Sequence, residues 1–121
     1  MRQHVVAVVE DDPGMLQSIE RLLKAYKFQT AVFVSAEAFL ADAAQTAAAC
    51  LVLDIHLGGM SGIELRRRLT AAGSALPVIF ISAADDEAMQ EKALEAGCVA
   101  YLRKPFLAQA LIGAINRALT A

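Results

Sequence analysis

Short runs of consecutive apolar residues alternate along the chain with longer stretches whose apolar positions recur every three or four residues. Val5–Val9, Gln29–Val34, Cys50–Leu53, Val78–Ile81 and Val99–Leu102 are strand-length runs. Cys50–Leu53 lacks the in-out alternation of a half-exposed strand, so it reads as a strand buried on both faces. Between them lie helical patterns. Pro13 suits a first helical turn, and Leu16, Ile19, Leu23 and Tyr26 follow at helical spacing. Ser35 is placed to cap a short helix carrying Ala38, Phe39 and Leu40. The alanine-rich stretch 43–49 fits either a helix end or a loop. Gly58, Gly59 and Gly62 mark a loop before a helix with Ile63, Leu65 and Leu69 that Gly73 stops. Asp85, Asp86 and Glu87 supply an acidic first turn to a helix ending near Gly97. A last helix carries Phe106, Ala110, Leu111, Ala114, Ile115, Ala118 and Leu119 on one stripe. Five strand–helix units in strict alternation predict an α/β fold: a parallel sheet with right-handed crossovers and helices on both faces.

Composition narrows the class. At 121 residues the chain suits one domain, residues 1–121, and 57% hydrophobic residues provide ample material for a core. With 13 acidic against 11 basic side chains, there is no electrostatic footprint for direct nucleic-acid binding. No apolar run approaches the ~20 residues that span a bilayer, and Met1–His4 leads straight into a strand without the order of a signal peptide. The expected location is therefore cytoplasmic. Cys50 and Cys98 sit beside apolar runs and read as buried reduced thiols; zinc held by them with His4 and His56 finds no support, since no pair has ligand spacing.

Ligands of an open parallel sheet sit beyond the carboxyl ends of the strands. Glu10, Asp11 and Asp12 end the first strand, Asp54 the third, Ser82 the fourth and Lys104 the fifth. Two carboxylates about 4 Å apart repel by roughly 4 kcal/mol at an effective dielectric near 20, so such a cluster calls for a cation. Mg²⁺ takes one or two carboxylates together with water and phosphate oxygens. A carboxylate nucleophile, a metal, a lysine and a hydroxyl make a phosphoryl-transfer site.

The runs Val8-Val9-Glu10-Asp11-Asp12, Leu51-Val52-Leu53-Asp54, Gly59-Met60-Ser61-Gly62-Ile63-Glu64-Leu65, Ser82-Ala83 and Tyr101-Leu102-Arg103-Lys104-Pro105-Phe106 resemble, in order and spacing, the response-regulator receiver domain of two-component signalling. The resemblance covers nearly the whole chain. It implies a flavodoxin-like, doubly wound five-stranded parallel sheet of order 2-1-3-4-5. It also implies phosphoryl transfer to Asp54 from a sensor histidine kinase or phosphotransfer protein. Mg²⁺ would be held by Asp11, Asp54 and the backbone carbonyl of His56, with Glu10 acting through water; three acids in a row leave Asp12 as an alternative to Glu10. Lys104 would pair with a phosphoryl oxygen, aimed by a cis bond to Pro105. Ser82 would move to bond the phosphate and let Tyr101 turn inward, coupling the site to the face of the fourth helix, fifth strand and fifth helix. That face would control an output domain or effector protein and is a candidate surface for a phosphorylation-dependent homodimer.

Two positions depart from the family's usual pattern: Gly58 stands where proline is common, which predicts a more mobile loop, and Glu10 stands where aspartate is commoner. Two residues past Ser82, Ala84 cannot hold an attacking water, so a long-lived acyl phosphate is expected. Enzymatic capacity is expected to stop at the chain's own phosphorylation and slow dephosphorylation. Against this reading stand a protein-binding module that works without phosphorylation, which the intact set Asp11, Asp54, Ser82 and Lys104 disfavours, and an aspartyl-nucleophile phosphatase, which wants an acid where His56 stands. A flavin carrier fits less well, because acids occupy the position of a phosphate-binding loop.

Overall fold

In the computed structural model, the described residues are 4–42, 47–83 and 87–120. They form β1 (Val5–Val9), α1 (Pro13–Ala25), β2 (Gln29–Phe33), α2 (Ala36–Ala41), β3 (Cys50–Asp54), α3 (Gly62–Ala71), β4 (Val78–Ser82), α4 (Glu87–Ala96), β5 (Ala100–Arg103) and α5 (Ala108–Thr120). The five strands pair in parallel in the order β2-β1-β3-β4-β5, the predicted doubly wound arrangement. Chain reversal after β1 sends β2 to one side and β3 to the other, which opens the switch-point crevice at the carboxyl edge.

Each sheet face has its own core. Val6, Val8, Val52, Ile79 and Ile81 point to one side and pack with Leu16, Ile19 and Leu23 of α1 and Leu111, Ile112 and Ile115 of α5. Ala7, Val9, Leu51, Leu53 and Phe80 point to the other and meet Phe39 of α2, Leu65 and Leu69 of α3 and Ala93 of α4. The central strands are therefore wholly buried, which explains their unbroken apolar runs.

Three helix starts follow from local chemistry. Asp12, Ser35 and Ser61 occupy N-cap positions, and their side chains accept from the N–H groups of Met15, Ala38 and Glu64.

Several boundaries differ from the sequence expectation. Val34 lies beyond β2 and is 61% exposed, because the partner strand ends at Val9. Tyr26 caps the C-terminus of α1 and is half exposed instead of continuing its buried stripe. Val99 precedes β5, although its N–H already bonds the Val78 carbonyl. Phe106 precedes α5 and packs against the core from the loop, Ala110 faces solvent, and Ile112 is buried in its place. Cys50 and Cys98 are free thiols on opposite sheet faces, with burial pushing Cys50 up to about 12. Part of the alanine-rich stretch, and Ala84, Asp85 and Asp86, lie outside the described residues.

Candidate functional site

Side-chain alternation assembles the site. Val8, Val52 and Leu102 all contribute to the α1/α5 face of the sheet. Two residues on, one pleat repeat later, stand Glu10, Asp54 and Lys104, which share that parity. Val9 pairs with Leu53, so Glu10 and Asp54 are next in line on adjacent strands. The Lys104 N–H bonds the Ser82 carbonyl at 2.8 Å, extending the ladder far enough to deliver the lysine.

The Lys104 ammonium donates to Glu10 Oε1 at 2.6 Å and to Asp54 Oδ2 at 3.1 Å. The other Asp54 oxygen, Oδ1, accepts the His56 N–H at 3.0 Å. Glu10 Oε2 accepts the Asp12 N–H at 3.2 Å. Glu10 and Asp54 are buried, and Asp11 stands exposed at the mouth. Carboxylate oxygens of Glu10, Asp11 and Asp54 lie within 4.8 Å of one another. At that separation each pair of full charges repels by about 3 kcal/mol for a dielectric near 20, and one ammonium cannot neutralise three carboxylates.

The surplus negative charge shows in the protonation equilibria. Burial and the neighbouring Asp54 carboxyl push Glu10 up to about 7, against the opposing pull of Lys104 and the Asp12 N–H. Burial by itself would lower Lys104; Glu10 and Asp54 outweigh it and raise the lysine above its ordinary value. The ammonium therefore keeps its proton, and Glu10 is the group that can give up charge when no other cation is near.

Asp12 points elsewhere. Its side chain caps α1 through the Met15 N–H at 3.3 Å, and it is exposed, so of the three consecutive acids it is Glu10 and Asp11 that face Asp54. Ser82 ends β4 fully buried; by parity it lies on the opposite sheet face from Asp54 and on the same face as Tyr101. Tyr101 is half-buried and pairs with Phe80 in the register of β4 and β5. The His56 side chain is exposed, and the Lys104–Pro105 peptide bond is cis.

The loop between Asp54 and α3 is tied at two points. Gly58 donates its N–H to Asp11 Oδ2 at 3.2 Å, a bond that proline could not make. Met60 donates to Glu37 Oε2 at 2.9 Å, and this bond holds the Glu37 carboxyl below its usual range. Gly59 has φ 75°, and a Cβ there would sit 2.6 Å from that same carboxylate oxygen. At the far end, a Cβ on Gly62 would run into the Asp54 carbonyl oxygen. Sequence reasoning passed over Glu37. The only signal was an acid in the first turn after a serine cap, which reads as a dipole partner of its own helix.

The donor set suits a hard divalent cation. Three carboxylates converge, one of them open to solvent, and no thiol joins them among the described residues.

Comparison with known proteins points to one family. The model of the response regulator receiver domain matches residues 6–116. The chain is 38% identical over 118 residues to response regulator protein TmoT of Ectopseudomonas mendocina, covering 98% of this chain and 54% of that protein. It is 36% identical to transcriptional regulatory protein FixJ of Rhizobium meliloti (strain 1021), covering 98% of this chain and 58% of that one. The chain thus spans about half the length of the curated relatives it matches. Among solved structures, FixJ-N superposes with a TM-score of 0.90 at 35% identity, covering 99% of this chain and 96% of that chain. The BeF3-activated DrrB receiver domain gives 0.89 at 29% identity, covering 99% and 100%. With its sheet order, its acidic strand ends and these matches in agreement, the chain belongs to the response regulator receiver domain family.

Proposed function

We propose that this receiver domain takes a phosphoryl group onto Asp54 from a phosphohistidine of a sensor histidine kinase or phosphotransfer protein, in a Mg²⁺-dependent reaction. One observation carries the reading: a buried aspartate held between a lysine ammonium and a backbone N–H, with two further acids within 4.8 Å. A purely structural aspartate would not be surrounded by like charge at such electrostatic cost.

Asp11, Asp54 and the His56 carbonyl would hold Mg²⁺, with Glu10 behind them. When bound, the ion offsets carboxylate repulsion and neutralises charge on the phosphoryl oxygens. The chain's own residues do the rest. An Asp54 carboxylate oxygen attacks phosphorus; the new P–O bond forms as the P–N bond breaks, and the imidazole nitrogen keeps the electron pair. Lys104, already 3.1 Å from Asp54, stays charged to meet a phosphoryl oxygen. The Ser82 hydroxyl, at the adjacent strand end, moves to bond another, and Tyr101 turns inward on the shared sheet face. Phosphorylation then favours a second conformation by differential contacts, altering the α4–β5–α5 face.

The chain assists only its own phosphorylation and slow dephosphorylation and turns over no external metabolite. The output is an effector protein or a separate domain; the relatives that are about twice as long and named as response regulators or transcriptional regulatory proteins support a regulatory output of that kind. Dimerisation through the α4–β5–α5 face and a cytoplasmic location belong to the same proposal. Among the described residues, no helix is long and apolar enough to cross a membrane.

Incubation with Mg²⁺ and acetyl phosphate, followed by intact mass, tests the reading. A gain of one phosphoryl group that is absent in Asp54→Asn supports it; no gain in the parent protein, or the same gain in the variant, refutes it.

A further inference from the structure

The segment from Asp54 to Gly62 is an arch that leaves the phospho-acceptor and returns to it. It starts at the Asp54 carboxyl, which accepts the His56 N–H at 3.0 Å. It ends at Gly62, whose N–H bonds the Ile55 carbonyl at 3.0 Å and whose missing Cβ admits the Asp54 carbonyl. Between these feet, two side chains from other elements hold the arch among the described residues. Asp11 takes the Gly58 N–H from the inside, and Glu37 of α2 takes the Met60 N–H from the outside.

The two tethers differ in one respect. Asp11 is one of the three carboxylates placed to bind a cation, so its bond to Gly58 competes with that role. Glu37 lies outside the acidic cluster and is free to hold the arch whether or not a cation is bound. The local structure is shaped for it: Ser35 fixes the start of α2, Gly59 leaves room for the carboxylate, and Met60 presents its N–H at 2.9 Å.

We propose that Glu37 is a positioning residue for the cation site, tethering the Asp54–Gly62 arch from α2 so that the His56 carbonyl keeps its place when Asp11 turns from Gly58 to the metal. The inference rests on the reading of Asp11, Asp54 and the His56 carbonyl as the cation-binding set. Charge-assisted bonds to a carboxylate are the stronger class of hydrogen bond. Partners one step behind metal ligands typically change affinity by about 10–100-fold. Glu37 acts through three residues of backbone, so a smaller effect, roughly three- to tenfold, is expected for Glu37→Ala.

The test compares the parent chain with Glu37→Ala and Glu37→Gln, all ¹⁵N-labelled. Mg²⁺ affinity comes from amide shifts during MgCl₂ titration; amide hydrogen exchange at His56–Met60 is then measured at saturating Mg²⁺, with thermal midpoints recorded alongside. Both substitutions remove the charge, but only alanine removes the acceptor. The proposal expects weaker Mg²⁺ binding and faster exchange at Met60 in Glu37→Ala, with Glu37→Gln between it and the parent. A merely structural role would lower the thermal midpoint and leave Mg²⁺ affinity unmoved. Equal Mg²⁺ affinity in parent and alanine variant overturns the proposal, as does equal affinity in the two variants. If Glu37→Ala does not fold, the proposal stands or falls on whether Glu37→Gln weakens Mg²⁺ binding. A parent chain whose shifts ignore MgCl₂ would instead refute the cation-site reading itself, and the tether with it.

Discussion

Substituting Glu10→Gln should change how stability depends on pH. In the native chain, Glu10 has its pKa moved from 4.5 to about 7 by burial and by the neighbouring Asp54 carboxyl. In the unfolded chain it returns to an ordinary value. Between these limits the native state binds more protons than the unfolded state, so stability falls as pH rises. The favourable contribution is complete below about pH 4.5 and is lost as pH passes through about 7. At ~1.4 kcal/mol per pH unit, the displacement corresponds to about 3 kcal/mol. That is a large share of the ~5–15 kcal/mol that holds a domain of this size together. Glutamine is a fair copy of the protonated acid, able to face Lys104 and Asp54 without adding charge. Urea unfolding followed by far-ultraviolet circular dichroism, in metal-free buffer from pH 5 to 8, measures the difference. The parent should lose about 2–3 kcal/mol relative to Glu10→Gln over that interval. Parallel stability curves for the two proteins would refute the reasoning, because they would mean that Glu10 binds its proton equally in both states.

Three further substitutions, the last paired with a control at Gly14, probe the site from other sides. Lys104→Met leaves Glu10 and Asp54 facing each other without their shared ammonium and should cost about 3 kcal/mol at pH 8 in EDTA, partly restored by MgCl₂, as read by urea midpoints. Asp12→Ala removes the α1 cap and should cost about 1 kcal/mol in the same assay, with Mg²⁺ affinity by titration unchanged; a collapse of affinity would place Asp12 at the metal after all. Gly62→Ala drives a methyl group into the Asp54 carbonyl and should cost about 3 kcal/mol or more, whereas Gly14→Ala, where no atom lies within 4 Å, should not destabilise.

The central strands β3 and β4 were legible because burial on both faces writes them as uninterrupted apolar runs, and a polar residue at the end of such a run marks the carboxyl edge. Periodicity alone did not order the strands; the order 2-1-3-4-5 came from the resemblance. Helix phase was harder. On α5 the apolar residues exceed one stripe, and sequence could not tell that Ile112 turns inward while Ala110 turns out. The three consecutive acids illustrate the same limit. Only the geometry of Pro13 opening α1 shows Asp12 spent on a cap, leaving Glu10 and Asp11 for the site. Glu37 was illegible because its partner lies 23 residues away, and a backbone N–H leaves no trace in the letter that carries it. The loop expected to be mobile because of Gly58 is tied to Asp11 by the very N–H that glycine supplies.

The central claim is most directly tested by finding where the phosphoryl group goes. After a short exposure to acetyl phosphate, an acyl phosphate can be reduced with borohydride, converting the modified aspartate to homoserine, and the residue located by peptide mapping. The account predicts homoserine at position 54 alone, formed with MgCl₂ and absent in EDTA. Reduction at Asp11, at another carboxylate, or to the same extent without the metal would contradict it.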